Sequence, residues 1–318
     1  VLNVYYILGF FLTGLCSLYA FRELRISYPF AVFGSLLFAF QYYHFNRIGH
    51  YNLTAYYMIP LMILVILWVC KREPLFTGRT GGGFRLTLTN RGILALFFLL
   101  VTSTHSYYGF FGLLLLAVAT LWSFSRSYTL TDLAGGIIAV TALTLFMVIN
   151  RIPSLIYGMM HGSSFVMSYR YAYEAEIWGM KLIQLLLPAP GHRLAALAEI
   201  AQKYTEYRPL VNENVSASLG IIAGTGLLIL LAWVFIRGWE PLKIRLSDQG
   251  GTMDHLSLLT ISAILIGTIG GISAIIAQVF PDIHSYNRIS LYIAFFALTA
   301  ILILIQALTL RYQARPGF

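Results

Sequence analysis

The chain has 318 residues, 58% of them hydrophobic and only 10% charged, and its mean hydropathy is +0.77. A soluble domain carries roughly 25% charged residues, so this chain cannot cover a water-facing surface and lipid must be its main solvent. The net charge of +9 comes with no basic run interleaved with aromatics. That argues against a nucleic-acid partner and reads instead as loop charge facing lipid headgroups.

A spanning helix needs about 20 apolar residues. Nine stretches qualify or nearly so, at 2–21, 28–43, 53–70, 93–105, 107–124, 132–150, 217–236, 257–280 and 288–310. The fourth and fifth are short but read as two spans, because one helix across both would far exceed the bilayer. Cys16 and Cys70 fall inside apolar stretches and form no metal or disulfide pattern. The first residue is Val with no signal peptide before it, which reads as a piece whose start lies upstream.

Basic loops favour the cytoplasm. Placing the loop with Lys71, Arg72, Arg79, Arg85 and Arg91 inside puts 22–27, 125–131, 237–256 and 311–318 inside as well. Thirteen of the 21 Lys and Arg then lie on that side. The N-terminus is expected outside and the C-terminus in the cytoplasm. "TGGGF" in the basic loop reads as a flexible linker, since no Lys and hydroxyl follow to make a phosphate loop.

The predicted fold is an all-α polytopic membrane protein of about nine transmembrane helices. It divides into a bundle at 1–150, a long outer loop at 151–216 and a second bundle at 217–318. The loop carries "HRLAALAEIAQKY", with Leu194, Leu197, Ala198 and Ala201 on one helical stripe and Arg193, Glu199, Gln202 and Lys203 off it. That pattern predicts an amphipathic helix lying in the membrane interface.

Polar chemistry collects on the outer side of this topology. "QYYHFNRIGHYN" places His44, Arg47 and His50 at the end of the second span, and His105 and Tyr108 lie between the fourth and fifth. Glu174, Glu176, His192, Arg193 and "NEN" (Asn212, Glu213, Asn214) lie in the long loop, and His284 and Arg288 precede the last span. Six of seven histidines are outside, with only His255 inside. His44 and His50 are six apart, so they do not share a helical face as metal ligands would. Glu174 and Glu176 are candidate acid–base or metal carboxylates, with a divalent cation as a possible cofactor. The carboxamides of Asn212 and Asn214 suit hydroxyl binding or helix capping. Together these groups suit an anionic lipid headgroup bearing a polyol.

The stretch from "VLNVYYILGF" through "QYYHFNRIGHYNLTAYYMIP" resembles the bacterial polytopic proteins of the YfhO and GT-C glycosyltransferase-like group. There a polar Tyr/His/Arg turn ends a short span, a "GH" follows, and the next span carries a proline like Pro60. "THSYYGFFGLLLL", "LLLPAPGHRLAALAEIAQKY", "PLVNENVSASLG" and "IHSYNRISLYIAFFALTA" resemble later segments of the group. The resemblance implies transfer of a sugar from a polyprenyl-phosphate carrier to an acceptor on the outer face. The group's catalytic acid in the first outer loop has no counterpart here. Glu174, Glu176 and Glu213 remain as candidate catalytic bases. His44, Arg47, His50, His105, Tyr108, His192, Arg193, Asn212, Asn214, His284 and Arg288 are candidate groups for the polyprenyl-phosphate-sugar and membrane lipids. A transporter or flippase of a lipid-linked glycan and a non-catalytic envelope scaffold are the alternatives.

Overall fold

In lipid every backbone N–H and C=O must be satisfied within the protein, so an apolar run can settle there only as a helix or a closed barrel. A computed structural model of the chain describes residues 1–80, 84–162, 170–237 and 249–313, with the side chains of 77–80, 84–86, 312 and 313 excepted. The described residues are mostly helical, with one two-stranded hairpin. Among the described residues, four helices are long and apolar enough to cross a membrane: Leu2–Glu23, Ser106–Ser127, Leu130–His161, and Tyr286–Arg311 taken with its leading 3-10 turn. With the composition, they mark a membrane protein. The 22 residues of the first reach about 33 Å, the thickness of a hydrocarbon core.

The chain forms two compact units, Val1–Pro60 with Tyr171–Phe318, and Leu61–Arg170. In the first unit α1 (Leu2–Glu23) packs on α2 (Tyr28–Ala39). Its other face leaves Val4, Ile7, Phe11 and Leu15 exposed, as a lipid-facing helix requires. A short α3 (Tyr42–Phe45) and a 3-10 turn, Tyr51–Thr54, follow.

After the second unit the chain returns through α8 (Glu174–Ile177), α9 (Leu182–Leu186), α10 (Ala195–Tyr207) and a 3-10 turn, Glu213–Ala217. Then come α11 (Gly220–Ile236), α12 (Gly250–Gly267), α13 (Ser273–Val279), a 3-10 turn at Tyr286–Ile289 and α14 (Ser290–Gln313). The core is the crossing of α11 on α14. A Cβ on Gly226 would stand 2.2 Å from the Ala297 carbonyl oxygen, so the two backbones touch where small residues permit it. Tyr292, Phe295 and Phe296 of α14 are fully buried, and Phe295 stacks on Phe21 of α1 at 4.6 Å.

The second unit holds most of α4 (Met58–Cys70), then α5 (Asn90–Ser103), α6 (Ser106–Ser127) and α7 (Leu130–His161). Thr89 caps α5 by accepting from the Gly92 N–H at 2.9 Å, which satisfies an amide the helix leaves orphaned. Asn150 Nδ2 donates to Ser103 Oγ at 2.8 Å, tying α7 to α5.

Four features differ from the sequence-based expectation. Helix α7 runs 32 residues, through residue 150 and with Pro153 inside it. The polar pair Asn150–Arg151 resembles a span end, but Asn150 has a partner on α5. The span expected at 257–280 is two helices, because Gly270 takes a left-handed φ of 73° and the chain turns after Gly267. The basic loop at 71–92 contains an antiparallel hairpin, β1 (Phe76–Thr80) with β2 (Phe84–Leu88). Of the "TGGGF" linker, residues 81–83 lie outside the described residues, as do 238–248 and 314–318 of the basic inner segments. Finally, the compact units divide near residues 60 and 170, whereas the sequence reading divides the chain at 150 and 216.

Candidate functional site

The first unit gathers three turns that the sequence keeps far apart. Arg47 follows α3, whose brevity leaves Tyr43 and His44 pointing into the core. Glu213 and Ser216 share a 3-10 turn whose geometry places residues three apart on one side. Arg288 and Asn287 belong to the turn ahead of α14.

Arg47 Nη1 donates to Glu213 Oε2 at 2.7 Å, and its Nη2 donates to Ser216 Oγ at 2.7 Å. Its guanidinium lies 4.5 Å over the Tyr43 ring, a cation–π contact. Arg288 Nη2 and Asn287 Nδ2 both reach Glu213 Oε1 at 3.4 Å. Ser216 Oγ in turn donates to the Glu213 carbonyl at 2.7 Å, closing the turn on itself. Arg47 is 2% exposed and Arg288 7%, while the Glu213 side chain is 22% exposed. Two buried guanidiniums thus converge on one carboxylate that still reaches solvent. Burial on its own would raise the Glu213 pKa, but Arg47 and Arg288 outweigh it and hold the carboxyl below its ordinary value.

The remaining loop residues named from the sequence divide clearly. Asn214 is fully buried with every hydrogen-bonding position filled. Its Nδ2 donates to the Gly179 and Leu210 carbonyls, and its Oδ1 accepts from Gln184 Nε2 and the Asn212 N–H. Asn212 Oδ1 accepts from the Asn214 N–H at 3.0 Å while its Nδ2 donates to the Ile177 carbonyl at 2.7 Å. These two carboxamides are spent on capping and bracing the turn, so the hydroxyl-binding expectation is corrected. Glu176 Oε2 accepts from the Gly270 N–H at 2.9 Å, pinning the break after α12. Glu174 is buried and Oε1 accepts from the Tyr171 N–H at 3.2 Å. Of the three candidate bases, Glu213 meets the two arginines.

His44 is a core residue, which corrects its expected phosphate role. It stacks on Phe10 at 3.6 Å, stands edge-on to Tyr6, and its Nε2 lies 3.3 Å from the Tyr6 carbonyl. Burial pushes its pKa down to about 4, against the opposing pull of that carbonyl. A neutral imidazole adds no charge for an anion at neutral pH. His50 and Arg193 are exposed, His192 Nδ1 accepts from the Leu194 N–H at 3.1 Å, and His284 is half-buried beside the Arg288 turn.

His105 and Tyr108 belong to the second unit. There His105 caps α6, its Nδ1 accepting from the Tyr108 N–H at 3.5 Å, and the two rings stack at 4.1 Å. Among the described residues no group of three His, Cys, Asp or Glu converges as a metal would require.

Sequence reasoning missed Ser216 and the support from Tyr43. The signal for Ser216 was present: "ENVS" sets a hydroxyl three residues after the carboxylate, one 3-10 turn on. Compared against protein-family models, curated proteins and solved structures, the chain matches none.

Proposed function

We propose that the protein acts on an anionic lipid-linked sugar phosphate at the outer face of a bacterial plasma membrane, as a GT-C-like glycosyltransferase. The observation that supports this reading is the convergence of Arg47 and Arg288 on Glu213. Guanidinium groups offer paired N–H donors whose geometry matches phosphate oxygens. A polyprenyl phosphate would bring its anion to such groups while its tail stays in lipid.

In this reading Glu213 holds the arginines in place until a phosphate takes them over. A carboxylate held by two guanidiniums is a weak base. Once the phosphate accepts those N–H donors, the Glu213 pKa rises and it becomes fit to take a proton from an acceptor hydroxyl. The acceptor oxygen then bonds to the anomeric carbon as the glycosidic C–O bond to phosphate breaks, and Arg47 and Arg288 stabilise the phosphate that leaves with the electron pair.

The test uses the purified protein in nanodiscs, with polyprenyl phosphate binding followed by native mass spectrometry. Arg47→Ala and Arg288→Ala should each weaken binding about tenfold or more, since a charge-assisted contact contributes roughly 1.5–3 kcal/mol. Unchanged binding in both variants would end this assignment. A transporter of the same lipid is the second reading, favoured by the break between α12 and α13, because interrupted helices recur at transport sites. Appearance of a glycosylated acceptor supports the transferase, and movement of intact lipid between leaflets supports the transporter.

A further inference from the structure

An open cleft of about 380 Å³ lies in the first unit, between α10 and the two segments that hold Arg47. Its walls include Tyr42 from α3, Val215 from the turn of Glu213, and Gln202, Thr205 and Glu206 from α10. Tyr42 is the neighbour of Tyr43, whose ring supports the Arg47 guanidinium. Val215 sits between Glu213 and Ser216, the two residues that bind Arg47. The cleft and the arginine cluster therefore share two chain segments.

The lining is unlike a phosphate site. It holds no Lys or Arg and presents a carboxylate, which repels an anion. Gln202, Thr205 and Glu206 form a polar wall of α10 beside the apolar Pro190, Ala198 and Val215. Gln202 Nε2 donates to Glu206 Oε1 at 2.9 Å, which orients the pair and offers Gln202 Oε1 and Glu206 Oε2 to hydroxyl donors. Tyr42 supplies an aromatic ring and a phenol. Acceptors beside an aromatic ring, in a volume within the usual range of ligand sites, match a pyranose: its hydroxyls donate and its C–H face lies on the ring.

We infer that this cleft binds the hexose of the lipid-linked substrate while Arg47 and Arg288 take its phosphate. This assignment rests on the lipid-phosphate reading and gives the α10 helix a role in choosing between sugar-bearing and bare lipid. Gln202 and Thr205 are exposed on α10, so replacing them tests recognition without emptying a core.

The experiment compares affinities of the nanodisc-embedded protein for polyprenyl phosphate and for polyprenyl-phosphate-hexose, with methyl hexoside as a third, lipid-free probe read by saturation-transfer NMR. The wild type should prefer the sugar-bearing lipid by about tenfold, the worth of one or two added hydrogen bonds. Gln202→Leu and Thr205→Val should each remove most of that preference while leaving the affinity for bare polyprenyl phosphate unchanged. Equal binding of both lipids by the wild type, or a preference that survives both substitutions, overturns the cleft assignment and leaves the phosphate reading in place. If neither lipid binds but the hexoside does, and Gln202→Leu abolishes its signal, the phosphate reading falls and the cleft stands as a sugar site. Binding of none of the three overturns both.

Discussion

Arg47 and Glu213 stand 166 residues apart in the chain and meet at 2.7 Å, with the arginine almost wholly buried and the carboxylate open to solvent on one side. Removing the carboxylate takes away the anion that two buried guanidiniums share. Glu213→Ala should therefore destabilise the protein by about 2–3 kcal/mol, the scale of lost charge-assisted hydrogen bonds, and Glu213→Gln by less, since its amide still accepts. The pH dependence has a fixed sign. Glu213 is held below the ordinary 4.5, so its contribution is complete above that pH and is lost as pH falls through the folded value. Thermal unfolding of wild type and Glu213→Gln should differ by a constant amount near neutrality and converge in acid. A gap that widens on acidification contradicts the ion pair.

His44 gives a second and separate acid sensitivity. Its pKa is 6.5 when free and about 4 when folded, so between those values the unfolded chain binds a proton that the folded chain refuses. Stability is full above 6.5 and falls by roughly 1.4 kcal/mol per pH unit on descending toward 4. His44→Phe keeps the stacking on Phe10 and removes the titrating group. The variant should show a flat melting temperature across that window where the wild type slopes. A slope that persists in the variant assigns the effect to another group.

Much of the helical layout was legible because apolar runs without charge have few alternatives in lipid. The separation of α5 from α6 at Thr104–His105 and the helix at 195–207 follow from length and from the 3.6-residue stripe. Helix α7 was harder to read, because Asn150 looks like a span end until its Ser103 partner is known. The turn after Gly267 was hidden because the run 257–280 stays apolar across it. Among site residues, Arg47, Glu213 and Arg288 stood out as charges in greasy surroundings, but periodicity cannot reveal that three distant turns meet. Asn212 and Asn214 stayed open between two roles, because a carboxamide looks the same in sequence whether it binds a ligand or caps its own turn.

The helix crossing at Gly226 makes a sharp packing prediction. A β-carbon there would overlap the Ala297 carbonyl at 2.2 Å, and backbone cannot swing away as a side chain can. Gly226→Val should force α11 from α14 and cost about 1–3 kcal/mol, the range for overpacking. Gly49→Ala is the control, since nothing lies within 4 Å of its added carbon. Comparable melting temperatures for the two variants would mean that α11 and α14 do not cross this closely.

Membrane orientation decides which compartment can supply the ligand of Arg47. The bias of basic loops toward the cytoplasm predicts residue 71 inside and residues 161 and 193 outside. All three are exposed, so single cysteines there can be reached by reagent without unfolding. In a background with Cys16 and Cys70 replaced by Ser, His161→Cys and Arg193→Cys should react with an impermeant maleimide in intact cells. Lys71→Cys should react only after permeabilisation. Arg193 precedes α10, one wall of the cleft, so its labelling reports directly on access to the proposed sugar site. The reverse pattern would turn that cleft toward the cytoplasm, where a ligand must arrive from the inner leaflet. Residues 161 and 193 labelling on opposite sides would require a membrane crossing between α7 and α10, and the alternation from which the outer-face site was argued would fail at that point.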